Sequence, residues 1–417
     1  MQVGDVHLPG NAQHRHNLDD KDKRFPVELK GILSSSPIKI VFKQIYSFIS
    51  KQDVSAMLFM GDLTDIGGLG GYRSCANYIA RSLQLGSGNV HSSLPVGIIP
   101  GNHDINRDLA KLPGLTRKFQ PLTDALQAVG LPALPVSKPL WLRLQEGAAQ
   151  AQIALLNSCW GCGAREFIPE EFRDDVEAAI DNAIKRGNAE RATRAYYDRQ
   201  FDTPAFNEDS IREFVQGANG IARTGLLIAC AHHNLLPQRQ PRLAPYTEVV
   251  NSGAVRGTLK ELGRPILYLH GHIHEDPIEI LHSPGGDPLV CISAPEASAG
   301  FNVLEIVFTR AGLPLSCHIH KWRFDQSGVF RSTGTEVVSL LGQRRRAYDK
   351  SLSRLYAHLL TEGESYWSDL LQASHGIFAT DAEESLEESL EVLWADARIR
   401  IDNYDLPPEN WIVGARL

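Results

Sequence analysis

Residues 56–65 read Ala56-Met57-Leu58-Phe59-Met60-Gly61-Asp62-Leu63-Thr64-Asp65. Five apolar residues stopped by a glycine predict a short buried strand. Two carboxylates and a threonine follow at once, and open α/β sheets bind ligands just beyond such strand ends. Further along, residues 96–99 are apolar, end at Pro100-Gly101 and lead into Asn102-His103-Asp104. Strand-like residues 226–230 precede His232-His233, and residues 266–269 precede Gly271-His272-Ile273-His274. Upstream, Asp5-Val6-His7 follows only four residues, so its strand is a stub or begins before Met1.

The intervening segments fill in an alternating α/β pattern. Residues 8–36 read as a polar loop. Ser36 and Pro37 open a helix whose Ile38, Val41, Phe42, Ile45, Phe48 and Ile49 share one face. A second helix is predicted over 72–83 and a strand over 153–156. Phe172, Val176, Ala179, Ile180 and Ala183 share a helical face, and a basic helix follows over 186–199 with Lys185, Arg186, Arg191, Arg194 and Arg199. Residues 277–282, 288–293, 302–309 and 314–324 predict an antiparallel run. From about 335 the pattern turns helical, with stripes Tyr348-Leu352-Leu355-Leu359 and Leu386-Leu390-Leu393-Ala397. The expected organisation is a catalytic domain over 1–334, with a helical insertion at about 160–222, and a helical extension over 335–417.

The 417 residues allow two or three domains at roughly 100–200 residues each. With 43% hydrophobic residues, a core needs no disulfides, and six irregularly spaced cysteines suit a reducing compartment. No apolar run reaches the roughly 18 residues of a membrane span, and no secretory signal is visible, so a cytoplasmic protein is expected. The net charge of −7 argues against broad coating of nucleic acid. That charge belongs to one segment. Residues 376–397 carry Asp381, Glu383, Glu384, Glu387, Glu388, Glu391 and Asp396 with no Lys or Arg, and the rest of the chain is balanced. The acidic stripe is therefore a candidate surface for a protein partner or self-association.

Each Asp-, Asn- or His-bearing segment is weak alone. Five of them, most directly after a predicted strand, predict a metal site. Carboxylate, imidazole and amide oxygen suit Mn, Fe or Zn, and two such ions clamp both oxygens of an in-line phosphoryl displacement. Asp5 and His7 lie two apart on an extended chain and so share a face.

The ordered set DxH, GDxxD, GNHD, H and GHxH resembles the calcineurin-like metallophosphoesterase superfamily over about residues 1–325. The resemblance implies two mixed β-sheets packed face to face and flanked by helices. It implies that Asp5, His7 and His274 hold one metal, that Asp62 bridges, and that Asn102, His232 and His272 hold the second. His103 would protonate the leaving oxygen or stabilise the transition state, Asp104 would orient His103, and a metal-activated hydroxide would attack. His232 is preferred over His233 by motif alignment, leaving His233 to face substrate or to pack. Protein phosphatases of the superfamily carry GDxxDRG and GNHE; here Ile66-Gly67 and Asp104 stand instead. Gly61–Asp65 and His232-His233 look more like the cyclic-nucleotide phosphodiesterase branch, so a nucleotide-type phosphodiester is the expected substrate. Exonuclease and phosphomonoesterase activity are alternatives, and a non-catalytic scaffold is a remote one.

Other signals carry less. Arg107 is a candidate phosphate contact, because guanidinium forks match phosphate oxygens. His14 and His16 read as loop residues, and Arg344-Arg345-Arg346 as a solvated face. Gly67, Gly68, Gly70 and Gly71 lack the Lys-Ser/Thr of a phosphate loop and read as a rim near Asp65. Cys159-Trp160-Gly161-Cys162 has no second thiol pair and reads as structural.

Overall fold

The computed structural model describes residues 1–8, 36–166, 168–187, 189–222, 225–237, 248–283, 286–309, 312–342, 350–378, 381–404 and 406–416. His14, His16 and Arg344–Arg346 lie outside them. The strands are β1 (Gln2–Val3), β2 (Met57–Phe59), β3 (Val96–Ile98), β4 (Leu140–Glu146), β5 (Ala149–Leu155), β6 (Leu226–Cys230), β7 (Ile266–His270), β8 (Ile278–Leu281), β9 (Leu289–Ser293), β10 (Gly300–Phe308), β11 (Pro314–Phe324), β12 (Phe330–Ser339), β13 (Glu364–Tyr366), β14 (Ile399–Asp402) and β15 (Ile412–Ala415). The helices are α1 (Pro37–Ser50), α2 (Leu69–Leu83), α3 (Arg107–Ala110), α4 (Gln120–Gln127), α5 (Glu170–Arg186), α6 (Glu190–Gln200), α7 (Glu208–Asn219), α8 (Ser252–Glu261), α9 (Lys350–Glu362), α10 (Trp367–Ser374) and α11 (Ala382–Ala395).

Two mixed six-stranded sheets face each other, as expected. The first runs β12-β11-β10-β1-β2-β3 and the second β4-β5-β6-β7-β9-β8. Strand β6 shows why its sequence is apolar throughout. Leu226, Ile228 and Cys230 point into the layer between the sheets, while Leu227 and Ala229 pack under α7 and α8. On the outer face of the first sheet, Ile38, Val41, Phe42, Ile45 and Ile49 of α1 join α2 and α4 over Val3, Phe59 and Ile98. The parallel strands β1, β2 and β3 end together, as do β5, β6 and β7. Most of the chemistry-bearing loops therefore leave from one rim.

Several expectations need correction. The expected antiparallel run splits between the sheets: β8 pairs antiparallel with β9, but β9 runs parallel to β7. Strand β12 continues to Ser339, through residues read as helical, because β11 supplies its ladder of backbone bonds. The glycine-rich rim instead starts α2, with Gly68 as its N-cap. The extension holds α9, α10 and α11, and adds a three-stranded antiparallel sheet, β13-β15-β14.

The apolar face of the acidic helix is taken up inside the chain, whereas Asp381 and Glu383 stay exposed. Leu386, Leu390 and Leu393 of α11 are buried with Leu352, Leu355, Leu359, Leu370 and Trp411, and α11 lies against β11 and β12. Glu391 is buried too, with its carboxylate 3.5 Å from Nε2 of fully buried His318. Leu390→Ala should cost about 2–5 kcal/mol through the cavity it leaves. Urea unfolding should show a lower midpoint at unchanged slope. Among the described residues no helix is long and apolar enough to cross a membrane.

Candidate metal centre

Ten described non-glycine residues have positive φ, and five of them are Asp5, His7, Asp62, His272 and His274. Such backbone costs about 1–3 kcal/mol per residue and persists where the surroundings over-determine it. Here it bends three strand-end loops so that their side chains converge. Gly101 permits the closest approach, since a Cβ there would lie 2.1 Å from Asp62 Oδ1.

Asp62 stands at the centre and is buried. Its Oδ2 lies 3.4 Å from His232 Nε2 and 4.0 Å from His7 Nε2, and its Oδ1 accepts the His103 backbone N–H at 2.8 Å. On one side, His7 Nε2 is 3.2 Å from His274 Nε2, which is 3.6 Å from Asp5 Oδ1. On the other, His232 Nε2 is 3.1 Å from Asn102 Oδ1, and its ring meets His272 edge-on at 5.1 Å. The structure thus brings all seven expected ligand residues into one cluster. His232, not His233, faces Asp62.

The donor set fits divalent cations. Burial alone would raise the Asp62 carboxyl, yet His232 and His103 hold it well below the usual carboxylate range. Burial would lower His232, but Asp62 carries it up to about 10. A cluster that draws a proton onto a fully buried imidazole is short of positive charge, which bound cations supply. Burial keeps His7, His272 and His274 in the neutral form that ligates metal.

His103 and Asp104, the expected catalytic pair, are arranged otherwise than the resemblance implies. Asp104 does not orient the His103 ring. Its Oδ1 accepts Thr64 N–H at 2.9 Å and its Oδ2 accepts Gly101 N–H at 2.9 Å, so it braces the two glycine turns. The His103 ring is instead fixed by the Asp65 carbonyl, 2.9 Å from Nδ1.

Both expected substrate contacts are engaged within the protein, Arg107 while partly exposed and His233 in the interior. Arg107 donates to both Asp202 oxygens, at 2.5 and 3.0 Å, and to the Asn102 carbonyl at 2.9 Å. His233 is buried, with Nδ1 2.9 Å from Ser158 Oγ.

Two carboxylates escaped the sequence reading. Asp202 accepts from the Asn102 amide at 3.3 Å, and Glu296 lies 4.0 Å from His274 Nδ1. Both are remote in sequence from the residues they touch and carry no motif. Asp202 follows α6, so the insertion forms part of the wall behind Asn102, and the Asp198 carbonyl at the end of α6 also accepts from Arg107, at 3.3 Å.

No family model and no curated protein matches the chain. Among solved structures, the chain is similar to a dimetal phosphatase from Danio rerio, at 11% identity and TM-score 0.44, covering 82% of this chain and 98% of that one. It is similar to GAP50, the anchor in the inner membrane complex of Plasmodium, at 11% identity and TM-score 0.41, covering 82% and 89%. It is also similar to a 5'-nucleotidase precursor from Thermus thermophilus, at 13% identity and TM-score 0.36, covering 81% and 54%.

Proposed function

We propose that this chain is a dinuclear metal-dependent phosphoesterase of the calcineurin-like type, acting on phosphodiester bonds of nucleotide-type substrates. One observation carries the reading: the Asp62 carboxylate stands between the Asp5/His7/His274 group and the Asn102/His232 group. Asp5, His7 and His274 would hold one cation, Asn102, His232 and His272 the other, and Asp62 both. Bound divalent ions supply Lewis acidity toward phosphoryl oxygens and an acidified water.

The chain's own groups do the rest. A carbonyl only accepts, so His103 carries one proton on Nδ1 toward Asp65, and only the imidazolium, with a second proton on Nε2, would donate to the leaving oxygen and return to the neutral Nδ1–H form. Its ring stands 5.1 Å from that of His7, next to the shared carboxylate. His274 is 44% exposed, so the cluster opens on its side. The diester and nucleotide preference is supported by Gly61–Asp65 and His232-His233, and by the lack of an arginine after Asp65.

The test is turnover with Mn²⁺ of bis-p-nitrophenyl phosphate, p-nitrophenyl phosphate, cyclic nucleotides and single-stranded DNA. Diester and cyclic-nucleotide turnover should exceed monoester turnover and vanish with a chelator. Turnover of the monoester alone would overturn the diesterase reading, and processive loss of DNA would point to an exonuclease.

A further inference from the structure

Cys159 and Cys162 have no second thiol pair along the chain, but the fold brings them a histidine. Both cysteines sit in the loop after β5, in a turn closed by the Cys162 N–H on the Cys159 carbonyl at 3.1 Å. His233, from the loop after β6, brings Nδ1 to 3.9 Å from Cys159 Sγ. One donor atom from each of Cys159, Cys162 and His233 lies within 4.8 Å of the others, and all three residues are buried. A tetrahedral ion with sulfur at about 2.3 Å and nitrogen at about 2.0 Å spaces its donors about 3.5–3.8 Å apart. Shifts of about an ångström or less would close the set. Oxygen for a fourth position is at hand: Ser158 Oγ lies 2.9 Å from His233 Nδ1, and the Pro100 carbonyl 3.2 Å from Cys159 Sγ.

A second observation points the same way. Lys118 is 1% exposed, and its ammonium donates to the Trp160 and Cys162 carbonyls, each at 2.6 Å. Among the described residues no carboxylate comes within ion-pair distance of it. A buried cation without a counter-charge is costly. Two thiols beside it do nothing for that cost while they stay protonated, whereas two thiolates do.

We propose that Cys159, Cys162 and His233 form a third metal site, for a thiophilic divalent ion of the Zn²⁺ type, separate from the Asp/His/Asn centre. On binding, both S–H bonds break, two metal–sulfur bonds form, and the two protons leave to solvent. The thiolates then stand beside Lys118. The ion ties the loop after β5 to the segment that carries His232, and so stiffens one wall of the first centre.

The test uses the full chain, stripped of metal and titrated with Co²⁺. Nitrogen and oxygen ligands give no thiolate-to-cobalt charge-transfer band in the near ultraviolet; this site should give one. Excess Zn²⁺ should bleach it. Cys159→Ser with Cys162→Ser should abolish the band and lower the bound metal by one equivalent per chain, leaving the rest of the Co²⁺ bound. Fully loaded wild-type protein without the band, or a band that survives both substitutions, would overturn the proposal. The wild-type spectrum and its Zn²⁺ competition decide the question even if the double variant folds poorly. The phosphoesterase reading stands or falls separately.

Discussion

Asp62→Asn should abolish metal-dependent phosphoesterase activity, with a loss of at least about a thousandfold in kcat/KM. The substitution is nearly isosteric, so packing around the buried position changes little. What changes is charge at the point shared by the two ligand groups. Asp62 faces His232 at 3.4 Å and His7 at 4.0 Å, and it is the carboxylate common to both sides. A bridging carboxylate neutralises both cations and fixes their spacing, and metal polarisation of a phosphoryl group is worth several kcal/mol. Each 1.36 kcal/mol is a factor of ten, so a loss of about 4 kcal/mol gives the stated size. The variant should also lose one or both metals on dialysis, by elemental analysis. An Asp62→Asn enzyme with wild-type turnover and full metal content would sink the ligand assignment.

The extent to which the sequence revealed this centre follows from how the fold makes it. Asp5, His7, Asp62, Asn102, His232, His272 and His274 sit in short segments at or near strand ends, so a local reading finds them all. Direction is not local. Asp104 neighbours His103 in the chain, but the turn sends its carboxylate back to Thr64 and Gly101. The group that does fix His103 is a main-chain carbonyl, which no residue type announces. Arg107 and His233 look available in sequence because their partners, Asp202 and Ser158, are 95 and 75 residues away. The same limit applies to the fold. The apolar run of β6 marks a strand buried on both faces. Strand β12 is mostly exposed and polar, and it exists because β11 lies beside it. The acidic helix shows that charge alone does not place a residue: Asp381 and Glu383 stay exposed, yet Glu391 faces His318 in the interior.

Asp202→Ala should weaken binding of the second metal by about 10–100-fold, the usual effect of losing an outer-shell partner. In the proposed centre Asn102 would be a neutral ligand, and an amide can turn either end toward a metal. Asp202 accepts from Nδ2 at 3.3 Å and so aims Oδ1 at His232 and the cluster. Arg107 holds that carboxylate in place through both Nη atoms and also grips the Asn102 carbonyl. Removing the carboxylate frees the amide to flip and leaves a largely buried guanidinium without its ion-pair partner. Arg107→Ala should produce a loss of the same kind, and the double variant should lose less than the sum, because both act through one network. Excess Mn²⁺ should restore much of the turnover of either variant, which a group contacting substrate would not allow. If Arg107 bound the phosphate directly, its removal would raise KM at unchanged metal affinity. Mn²⁺ titration of activity, with KM measured at saturating metal, separates the two cases, and wild-type metal affinity in Asp202→Ala would refute the positioning role.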